Sequence, residues 1–331
     1  ACYPGSKVWF ENRFHRVADP FRHPIDGIKS LLTPIGSLGD KLRVGMMRMG
    51  LLSSKSIPDN CTTRDALNKM GFSDSMTDRF WKPFMRGVFL ENELSTTIRK
   101  FEETFRFFSK GETVLPKNGI GEIPRQLAGQ LPRNNILLET EISKVDMNSV
   151  ESSDGRTWKG RAVVLATEDY YANQLLGLGS QVDDWNSVDC LYYSLPVDDL
   201  PSDEPILYLD GTGDGPINNL TFISTLCDCS PVGQALVSVS VIGQKEMNLD
   251  EIADKAKQQL IHWFGKKGKK WEFVKGYRIR KAVPTCQNFP IPKPVLTRVY
   301  RCGDYFGLPS IDSAMKSGRL TAEHIIQDQK S

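Results

Sequence analysis

The hydrophobic positions follow two different periods along the chain. Residues 26–110 carry apolar side chains at helical spacing, whereas residues 187–280 contain short runs in which apolar and polar residues alternate. The alternation is clearest in Ala235–Ile242, where valines at every second position are separated by Ser238 and Ser240. A period of two is typical of a strand with one buried face, and a period near 3.6 is typical of an amphipathic helix. The pattern therefore predicts a mixed α/β chain.

These patterns divide the chain into successive parts. Residues 1–25 are expected to be irregular and partly extended, with a short strand near Lys7, and residues 26–110 to be largely helical. Residues 111–180 are mixed, and Ile136–Thr140 is predicted to be a strand that pairs with a hairpin at Gly155. Residues 181–297 are expected to be β-rich around one long helix, and residues 298–331 to contain a strand and a helix.

The helical part contains a recognisable helix start. Ser37 and Asp40 have the spacing of a capping box, in which each side chain bonds to the backbone N–H of the other residue. The helix that follows has one apolar face, formed by Leu38, Leu42, Met46 and Met49. A second helix is expected from about Thr62 to Gly71.

The last strand and helix carry the most informative chemistry. The apolar run Val299–Asp304 ends in Gly303 and Asp304, and a helix begins a few residues later at Ser310. Gly303 lets a ligand approach the backbone, Asp304 supplies a carboxylate, and a helix start presents unpaired N–H groups. Such a unit suits a cofactor that joins a polyol phosphate to an electron-rich ring. The helix also has an apolar stripe: Ile311, Met315, Gly318, Ala322 and Ile325.

Several segments together resemble the flavin-containing amine oxidase superfamily, which includes amine oxidases, protoporphyrinogen oxidase and the phytoene-desaturase-like enzymes. The segments are Pro83–Leu90, Val114–Ala128, Ile136–Val145, Ala162–Thr167 and the Gly303 unit, in the family's order. The resemblance implies an FAD-dependent oxidoreductase. It also implies a discontinuous Rossmann-like FAD/NAD(P)-binding domain, residues 111–180 and 298–331, beside a substrate domain with a β-sheet and helices.

The resemblance also implies roles for individual residues. Gly303 and Asp304 would approach the ribityl-phosphate part of FAD, and the helix start at Ser310, Ile311 and Asp312 would face the pyrimidine edge of its ring. Ile142 matches a position whose backbone meets the adenine. Ala166 and Thr167 match a strand end beside the cofactor. Judged from the sequence without the family, Ile142 and Ala166 are ordinary strand-packing positions. No catalytic residue and no metal ligand is assigned.

One element of the family pattern is absent from the sequence. Family members begin with a strand, a G-x-G-x-x-G turn and a helix that holds the cofactor pyrophosphate. The glycines at Gly119–Gly121 and Gly211–Gly215 lack a preceding strand and a following helix of that kind. Because the chain also begins at Ala1, we expect an N-terminally truncated form that lacks the first βαβ unit. Loss of that unit would weaken FAD binding.

Composition limits the partners and the compartment. The chain has 331 residues, 40% hydrophobic and 25% charged, with a net charge of +2, which does not favour nucleic acid as a partner. It contains no apolar run long enough to span a bilayer, although peripheral membrane contact is compatible with it. Seven cysteines without a paired pattern indicate a reducing intracellular compartment, and the family resemblance suggests a plastid or the cytoplasm. The sequence leaves the oligomeric state undecided.

The substrate class stays open between alternatives. Phenylalanines clustered between residues 84 and 108 can line a tunnel for an apolar substrate such as a polyene, terpenoid or tetrapyrrole, but they can equally be core. Asp189 falls about where amine oxidases place a lysine near the flavin, which argues against amine oxidation. We therefore expect an oxidoreductase acting on an apolar substrate. The alternatives are an amine oxidase and a non-catalytic binding or scaffold protein with impaired flavin binding.

Overall fold

The computed structural model describes residues 1–178, 185–244, 246–285 and 296–328. The chain divides into two compact units, each built from two stretches of sequence. The first unit contains Ala1–Gln126 and Asn186–Ala282, and the second contains Leu127–Trp185 and Val283–Ser331. The boundary expected near residue 181 lies outside the described residues.

The helices of the described residues are, in chain order, α1 (Pro24–Leu31), α2 (Leu38–Arg48), α3 (Thr63–Lys69), α4 (Asp74–Met76), α5 (Lys82–Phe89), α6 (Ile98–Lys110), α7 (Glu122–Ala128), α8 (Asp169–Leu175), α9 (Leu249–Phe264), α10 (Lys266–Lys269) and α11 (Ile311–Asp328). The strands are β1 (Gly5–Phe10), β2 (Arg13–Ala18), β3 (Ile142–Asp146), β4 (Ser149–Ser152), β5 (Thr157–Lys159), β6 (Val163–Leu165), β7 (Trp185–Pro196), β8 (Leu207–Asp210), β9 (Ile217–Phe222), β10 (Gln234–Ile242), β11 (Glu272–Pro284) and β12 (Val299–Arg301). A π-helical turn over Thr77–Trp81 joins α4 to α5.

A seven-stranded sheet dominates the first unit, in the order β11-β7-β10-β9-β8-β1-β2. Its neighbouring pairs β1–β2, β8–β9, β9–β10 and β10–β7 are antiparallel, whereas β1 pairs with β8 in parallel. The predicted strand near Lys7 is part of β1. It forms a hairpin with β2, so residues 1–25 are more regular than the sequence predicted.

One face of this sheet packs on α9 and forms the largest core. The alternating valines Val237, Val239 and Val241 are fully buried, and so are Leu191 and Leu260. The predicted strand Ala235–Ile242 is part of β10, and α9 begins with a capping box formed by Asn248 and Glu251. The period-two pattern thus identified the strands that build this core.

A second core lies among the helices of residues 26–110. Phe89 and Phe101 are fully buried there with Trp81 and Met85, so these phenylalanines are core residues. Phe107, by contrast, is 58% exposed. The predicted helix from Thr62 is α3, and Thr62 caps it by accepting a hydrogen bond from the Asp65 N–H.

The capping box that begins α2 is confirmed, but its predicted apolar face is not buried. Ser37 and Asp40 exchange the expected bonds, and the buried residues of α2 are Asp40 and Met47. Leu38, Leu42 and Met49 are each more than half exposed. The predicted inward face of this helix therefore points to solvent.

The second unit contains two small sheets. β6 and β12 form a two-stranded parallel sheet, and β3, β4 and β5 form a three-stranded antiparallel sheet. The prediction of a strand at Ile136–Thr140 is wrong. The strand that pairs with β4 begins at Ile142, because Glu139 adopts a left-handed conformation and Leu138 is exposed. Val145 and Val150 pack on a buried cluster of Val163, Leu165, Ala172 and Val299.

The last helix, α11, buries a polar stripe instead of its apolar one. Ser317 and Thr321 are buried, whereas Ile311 and Met315 are about half exposed. The hydroxyl groups are buried because they bond to the backbone at the end of β12, which apolar side chains cannot do.

Candidate functional site

The ends of β6 and β12 bring several of the implied cofactor residues together. The two strands are adjacent and parallel, with Arg301 opposite Leu165, so the carboxyl ends of both strands lie at the same edge of the sheet. Ala166 and Thr167 follow β6 at this edge and are exposed. Gly303 and Asp304 follow β12 there. In open α/β sheets this carboxyl edge is where ligands bind.

Gly303 is required by packing and not by its dihedral angles. Its backbone is extended, with φ 168° and ψ 176°, but a Cβ atom there would overlap the ring of Tyr305. The Gly303 N–H donates to Ser317 Oγ at 2.9 Å, and the Ser317 hydroxyl lies 2.8 Å from the Gly303 carbonyl oxygen. The Gly303 N–H is therefore engaged within the protein, and Ser317 fixes the turn.

The start of α11 offers unpaired backbone donors. Ser310 Oγ accepts from the Ser313 N–H at 3.1 Å, and the Ser310 carbonyl accepts from the Ala314 N–H at 3.0 Å. The N–H groups of Ile311 and Asp312 have no hydrogen-bond partner among the described residues, and both residues are exposed. Since α11 has 18 residues, its dipole also favours negative charge at this end. These features fit the electron-rich edge of a flavin ring.

A buried polar cluster, which the sequence analysis did not identify, joins the end of β12 to α8. Arg301 Nη1 lies 3.4 Å from Asp169 Oδ1 and donates to Asn173 Oδ1 at 2.5 Å, and Asn173 Nδ2 donates to Asp169 Oδ2 at 2.8 Å. All three residues are buried. Burial raises the pKa of Asp169 and the pKa of Tyr305. The i, i+4 spacing of Asp169 and Asn173 on α8 was the one available signal.

Ile142, the remaining implied cofactor residue, lies in the separate β3–β4–β5 sheet. It is half-buried and pairs with Ser152 at the start of β3. The structure therefore groups Ala166, Thr167, Gly303 and Asp304 at one sheet edge, and places Ile142 on a different element.

The large sheet of the first unit has a polar face opposite α9. Because side chains alternate across a strand, Cys190 and Tyr192 point away from the core that Leu191 and Tyr193 join. Cys190 Sγ lies 3.6 Å from Ser238 Oγ on the next strand. The half-buried residues of this polar face are Cys190, Tyr192, Ser194, Asn219, Thr221, Ser238 and Ser240. The strand positions that form this face contain no carboxylate in the part of the chain the structure describes.

Two tyrosines mark the edge of the polar face. The ring of Tyr192 meets that of Tyr277 on β11 edge to face, with centroids 6.1 Å apart. Burial and the hydrogen bond with Cys190 raise the pKa of Tyr192 to about 12, so its phenol is neutral near pH 7 and can donate a hydrogen bond.

Asp189 lies on the opposite face of the sheet and is paired. Arg278 Nε and Nη2 donate to its two carboxylate oxygens at 2.7 and 3.0 Å, and the Asp189 side chain is only 7% exposed. The pair lines a cavity of about 180 Å³ together with Ser187, Gly243 and Arg280. The hydrogen bonds that Arg278 donates to Asp189 raise the pKa of the Arg278 guanidinium above its ordinary value. The charge of Asp189 is thus neutralised locally.

The chain was compared with protein-family models, with curated proteins and with solved structures. The family model for flavin-containing amine oxidoreductases matches residues 7–326. None of the curated proteins matches the chain. Among solved structures, the chain is similar to an oxidoreductase from Methanosarcina mazei, with TM-score 0.72 and 13% identity over 99% of this chain and 80% of that chain.

Two further structures share the fold. Putrescine oxidase bound to putrescine has TM-score 0.70 and 12% identity, over 98% of this chain and 81% of that chain. A putative protoporphyrinogen oxidase from Exiguobacterium sp. 255-15 has TM-score 0.60 and 16% identity, over 90% of this chain and 73% of that chain. The fold class and the resemblance predicted from the sequence are confirmed, and the chain belongs to the flavin-containing amine oxidoreductase family.

Proposed function

We propose that the protein is an FAD-dependent oxidoreductase that oxidises or dehydrogenates an apolar substrate without a cationic amine, such as a polyene, terpenoid or tetrapyrrole. The observation that carries this proposal is the polar face of the large sheet, whose described strand positions contain no carboxylate. Its hydroxyl, thiol, amide and phenol groups provide no negative charge for an ammonium group. Asp189, the nearest sequence candidate for a charged role, faces the other way and is bound to Arg278.

The strand ends and the helix start of the second unit support FAD as the proposed cofactor. Residues 111–180 and 298–331 are proposed to form the FAD-binding part, and residues 181–297 the substrate part beside the helical region 26–110. Bound flavin supplies a two-electron acceptor for substrate oxidation. The free N–H groups of Ile311 and Asp312 would hold the ring's pyrimidine edge, and a helix dipole stabilises negative charge there by about 0.3–1 kcal/mol at an exposed terminus.

The chain's own residues have distinct proposed roles. Ser317 holds the Gly303 turn in the conformation that borders the cofactor, and the Arg301 cluster fixes the end of β12. Tyr192 is protonated near neutral pH, as a phenol ordinarily is, and its raised pKa extends that state to higher pH, so its proposed role is to orient substrate as a hydrogen-bond donor.

The test uses the purified chain and its visible flavin absorbance. A yellow protein whose flavin is reduced anaerobically by a polyene or a tetrapyrrole, but not by putrescine or cyclohexylamine, supports the proposal. Reduction by either amine would instead establish an amine oxidase, in line with the fold shared with putrescine oxidase. A protein that stays colourless after incubation with FAD would contradict the cofactor assignment and favour a non-catalytic binding role.

A further inference from the structure

A cavity of about 420 Å³ lies in the first unit between α9 and the loop that joins β8 to β9. Like every other helix of the described residues, α9 is not long and apolar enough to cross a bilayer. Its apolar side packs on the large sheet, and polar side chains of α9 border the cavity. The residues that matter below are Trp9, Asp214, Lys255, His262 and Trp263. The cavity has the size of a small-molecule site and is separate from the polar face proposed for substrate, which is on the other side of the sheet.

Hydrogen bonds hold the wall of the cavity in place. Gln259 Oε1 on α9 accepts from the Ile217 N–H at 2.9 Å, and Gln259 Nε2 donates to Asp210 Oδ2 at 3.1 Å. The other oxygen of Asp210 accepts from the N–H and the hydroxyl of Thr212 at 2.9 and 2.7 Å. These bonds fix the loop to the helix at both of its ends. The cavity is therefore formed before a ligand enters it.

The aromatic end of the cavity offers indole N–H groups without a partner. The His262 ring meets the Trp9 ring edge to face, with centroids 5.4 Å apart, and the rings of Trp9 and Trp263 are 5.9 Å apart. Trp9 and Trp263 are only 6% and 7% exposed, yet neither indole N–H has a hydrogen-bond partner among the described residues. Unlike the N–H groups of Trp81 and Trp271, these two are not fully shielded from solvent. Since both residues line the cavity, a ligand there can accept hydrogen bonds from them.

The polar side of α9 places a cation two turns away from the aromatic end. Lys255 precedes His262 by seven residues, which is about 10 Å along the helix axis. Within the described part of the chain, the Lys255 ammonium forms no ion pair and donates to the Met247 sulfur, a weak acceptor, at 3.1 Å. Asp214 is the one carboxylate among the described residues that line the cavity, and it is exposed. Donors therefore outnumber acceptors, which suits an anionic ligand with an aromatic ring.

We propose that this cavity binds a phenolic acid, in which an aromatic ring carries a hydroxyl group at one end and a carboxylate on a short chain at the other. The ring packs against Trp9 and His262. The phenol oxygen accepts a hydrogen bond from an indole N–H, and the carboxylate pairs with Lys255. The length of such a molecule is comparable with the separation of His262 and Lys255 along α9. The inference does not depend on bound flavin or on the identity of the substrate.

Other ligand classes fit the same walls less well. An aromatic amine would face the like charge of Lys255, and its counterion would be Asp214, an exposed residue in a loop, where charge pairs contribute little. A purely apolar ligand would cover the indole N–H groups of Trp9 and Trp263 without giving them acceptors, which costs free energy. A phenolic acid satisfies both the indole donors and the ammonium group.

Isothermal titration calorimetry of the purified chain with para-hydroxycinnamate tests the proposal. We expect binding at one site per chain with a Kd below about 1 mM. Cinnamate, which lacks the ring hydroxyl, should bind about fivefold more weakly, because an indole N–H loses its acceptor. The neutral para-hydroxycinnamyl alcohol should bind about threefold more weakly, because it cannot pair with Lys255. Tyramine, which carries an ammonium group in place of the carboxylate, should bind more weakly than either.

Substitutions on the exposed side of α9 locate the bound ligand. Lys255→Gln should raise the Kd of para-hydroxycinnamate about threefold and remove its advantage over the alcohol. His262→Ala should raise the Kd about fivefold, whereas His262→Phe keeps a ring and should bind like the wild type. The matched control is Lys269→Gln, because Lys269 is an exposed lysine that does not line the cavity, and it should leave the Kd unchanged. Since Lys255, His262 and Lys269 are exposed, all four variants should fold, and thermal unfolding checks this.

Three results would overturn the proposal. The first is a wild type that does not bind para-hydroxycinnamate. The second is a Kd that neither Lys255→Gln nor His262→Ala changes, because the ligand would then bind elsewhere. The third is tighter binding of tyramine that Asp214→Asn abolishes, because the cavity would then select a cation. None of these measurements uses flavin reduction, so the proposal and the proposed function can fail independently.

Discussion

The carboxylate of Asp40 offers the sharpest test of how this fold is held together. Asp40 is fully buried, and its two oxygens accept four hydrogen bonds. The N–H and hydroxyl of Ser37 donate at 2.7 and 2.6 Å, and the N–H and hydroxyl of Ser73 donate at 2.8 and 2.6 Å. The side chain therefore caps α2 and ties it to the loop before α4. We expect Asp40→Asn to be strongly destabilising.

The magnitude follows from the geometry of these bonds. In Asp40→Asn an amide nitrogen replaces one oxygen, so it faces either the Ser73 N–H or the Ser37 N–H and leaves that donor unpaired. A buried unpaired donor costs about 1–3 kcal/mol, and the remaining bonds lose the charge that strengthens each of them by roughly 1 kcal/mol. The unpaired donor and the three weakened bonds together give an expected loss in the free energy of unfolding of about 4–6 kcal/mol, or roughly 10–15 °C in Tm.

Urea unfolding followed by tryptophan fluorescence measures this loss, because four of the six tryptophans, Trp9, Trp81, Trp263 and Trp271, belong to the first unit. The matched control is Asp65→Asn. Asp65 also stands at the third position of its helix, but it is exposed and its carboxylate makes no hydrogen bond among the described residues. The control should change the free energy of unfolding by less than about 0.5 kcal/mol.

The same carboxylate predicts a pH dependence. Burial acts to raise the pKa of Asp40, but the hydrogen bonds from Ser37 and Ser73 outweigh it, so the pKa lies below its ordinary value. A lowered pKa stabilises the fold above the unfolded value of about 3.9, and this stabilisation disappears as the pH falls through the folded pKa. The difference between wild type and Asp40→Asn should therefore shrink below about pH 4. A pH-independent difference, or a loss no larger than that of Asp65→Asn, would refute the reasoning.

Two further substitutions test the other buried polar groups. Ser317→Ala should lower the free energy of unfolding by about 1–3 kcal/mol and reduce flavin content, because the Gly303 N–H loses its acceptor. Thermal unfolding measures the first effect and visible absorbance the second. The control Lys316→Ala changes the exposed neighbouring residue and should alter neither quantity. Arg278→Met should cost about 3–5 kcal/mol in urea unfolding because it leaves the Asp189 carboxylate buried and unpaired. Arg280→Met, two residues along the same strand and without an ion pair among the described residues, should cost little, and equal losses would contradict the role of the pair.

Local signals in the sequence were reliable where their cause was local. The capping box at Ser37 requires only a neighbour three residues away, and it is present. The alternation in β10 identified a buried face because a strand between two others must place one side in the core. Ser73, the second partner of Asp40, is 33 residues away in sequence, and no local pattern indicates it.

Helical apolar stripes were the least reliable signal. On α2 and α11 every residue of the predicted apolar stripe is exposed or half-buried, and the buried residues include Asp40 on α2 and Ser317 and Thr321 on α11. Periodicity predicts burial only when nothing polar competes for the inner face. In each helix a buried polar side chain accepts a hydrogen bond from a backbone N–H outside the helix, that of Ser73 for Asp40 and that of Gly303 for Ser317.

The sequence predicted some residues of the candidate site and missed others. The family resemblance identified the Gly303 turn and the strand ends, which the structure places at one sheet edge. It gave no sign of the Arg301 cluster or of the bond between Asp189 and Arg278, since both join residues far apart in the chain. Phenylalanine content likewise could not distinguish a tunnel from a core, because both environments favour the same side chain.

The parallel pairing of β6 with β12 has a consequence for synthesis of the protein. Arg301 on β12 and Asp169 on α8, the helix after β6, are 132 positions apart, and most of the intervening chain belongs to the other unit. During translation β6 has no partner strand until the last part of the chain has left the ribosome. The second unit should therefore complete its folding only after synthesis ends, and a ribosome stalled before Val299 should carry a nascent chain in which residues 127–185 are sensitive to protease.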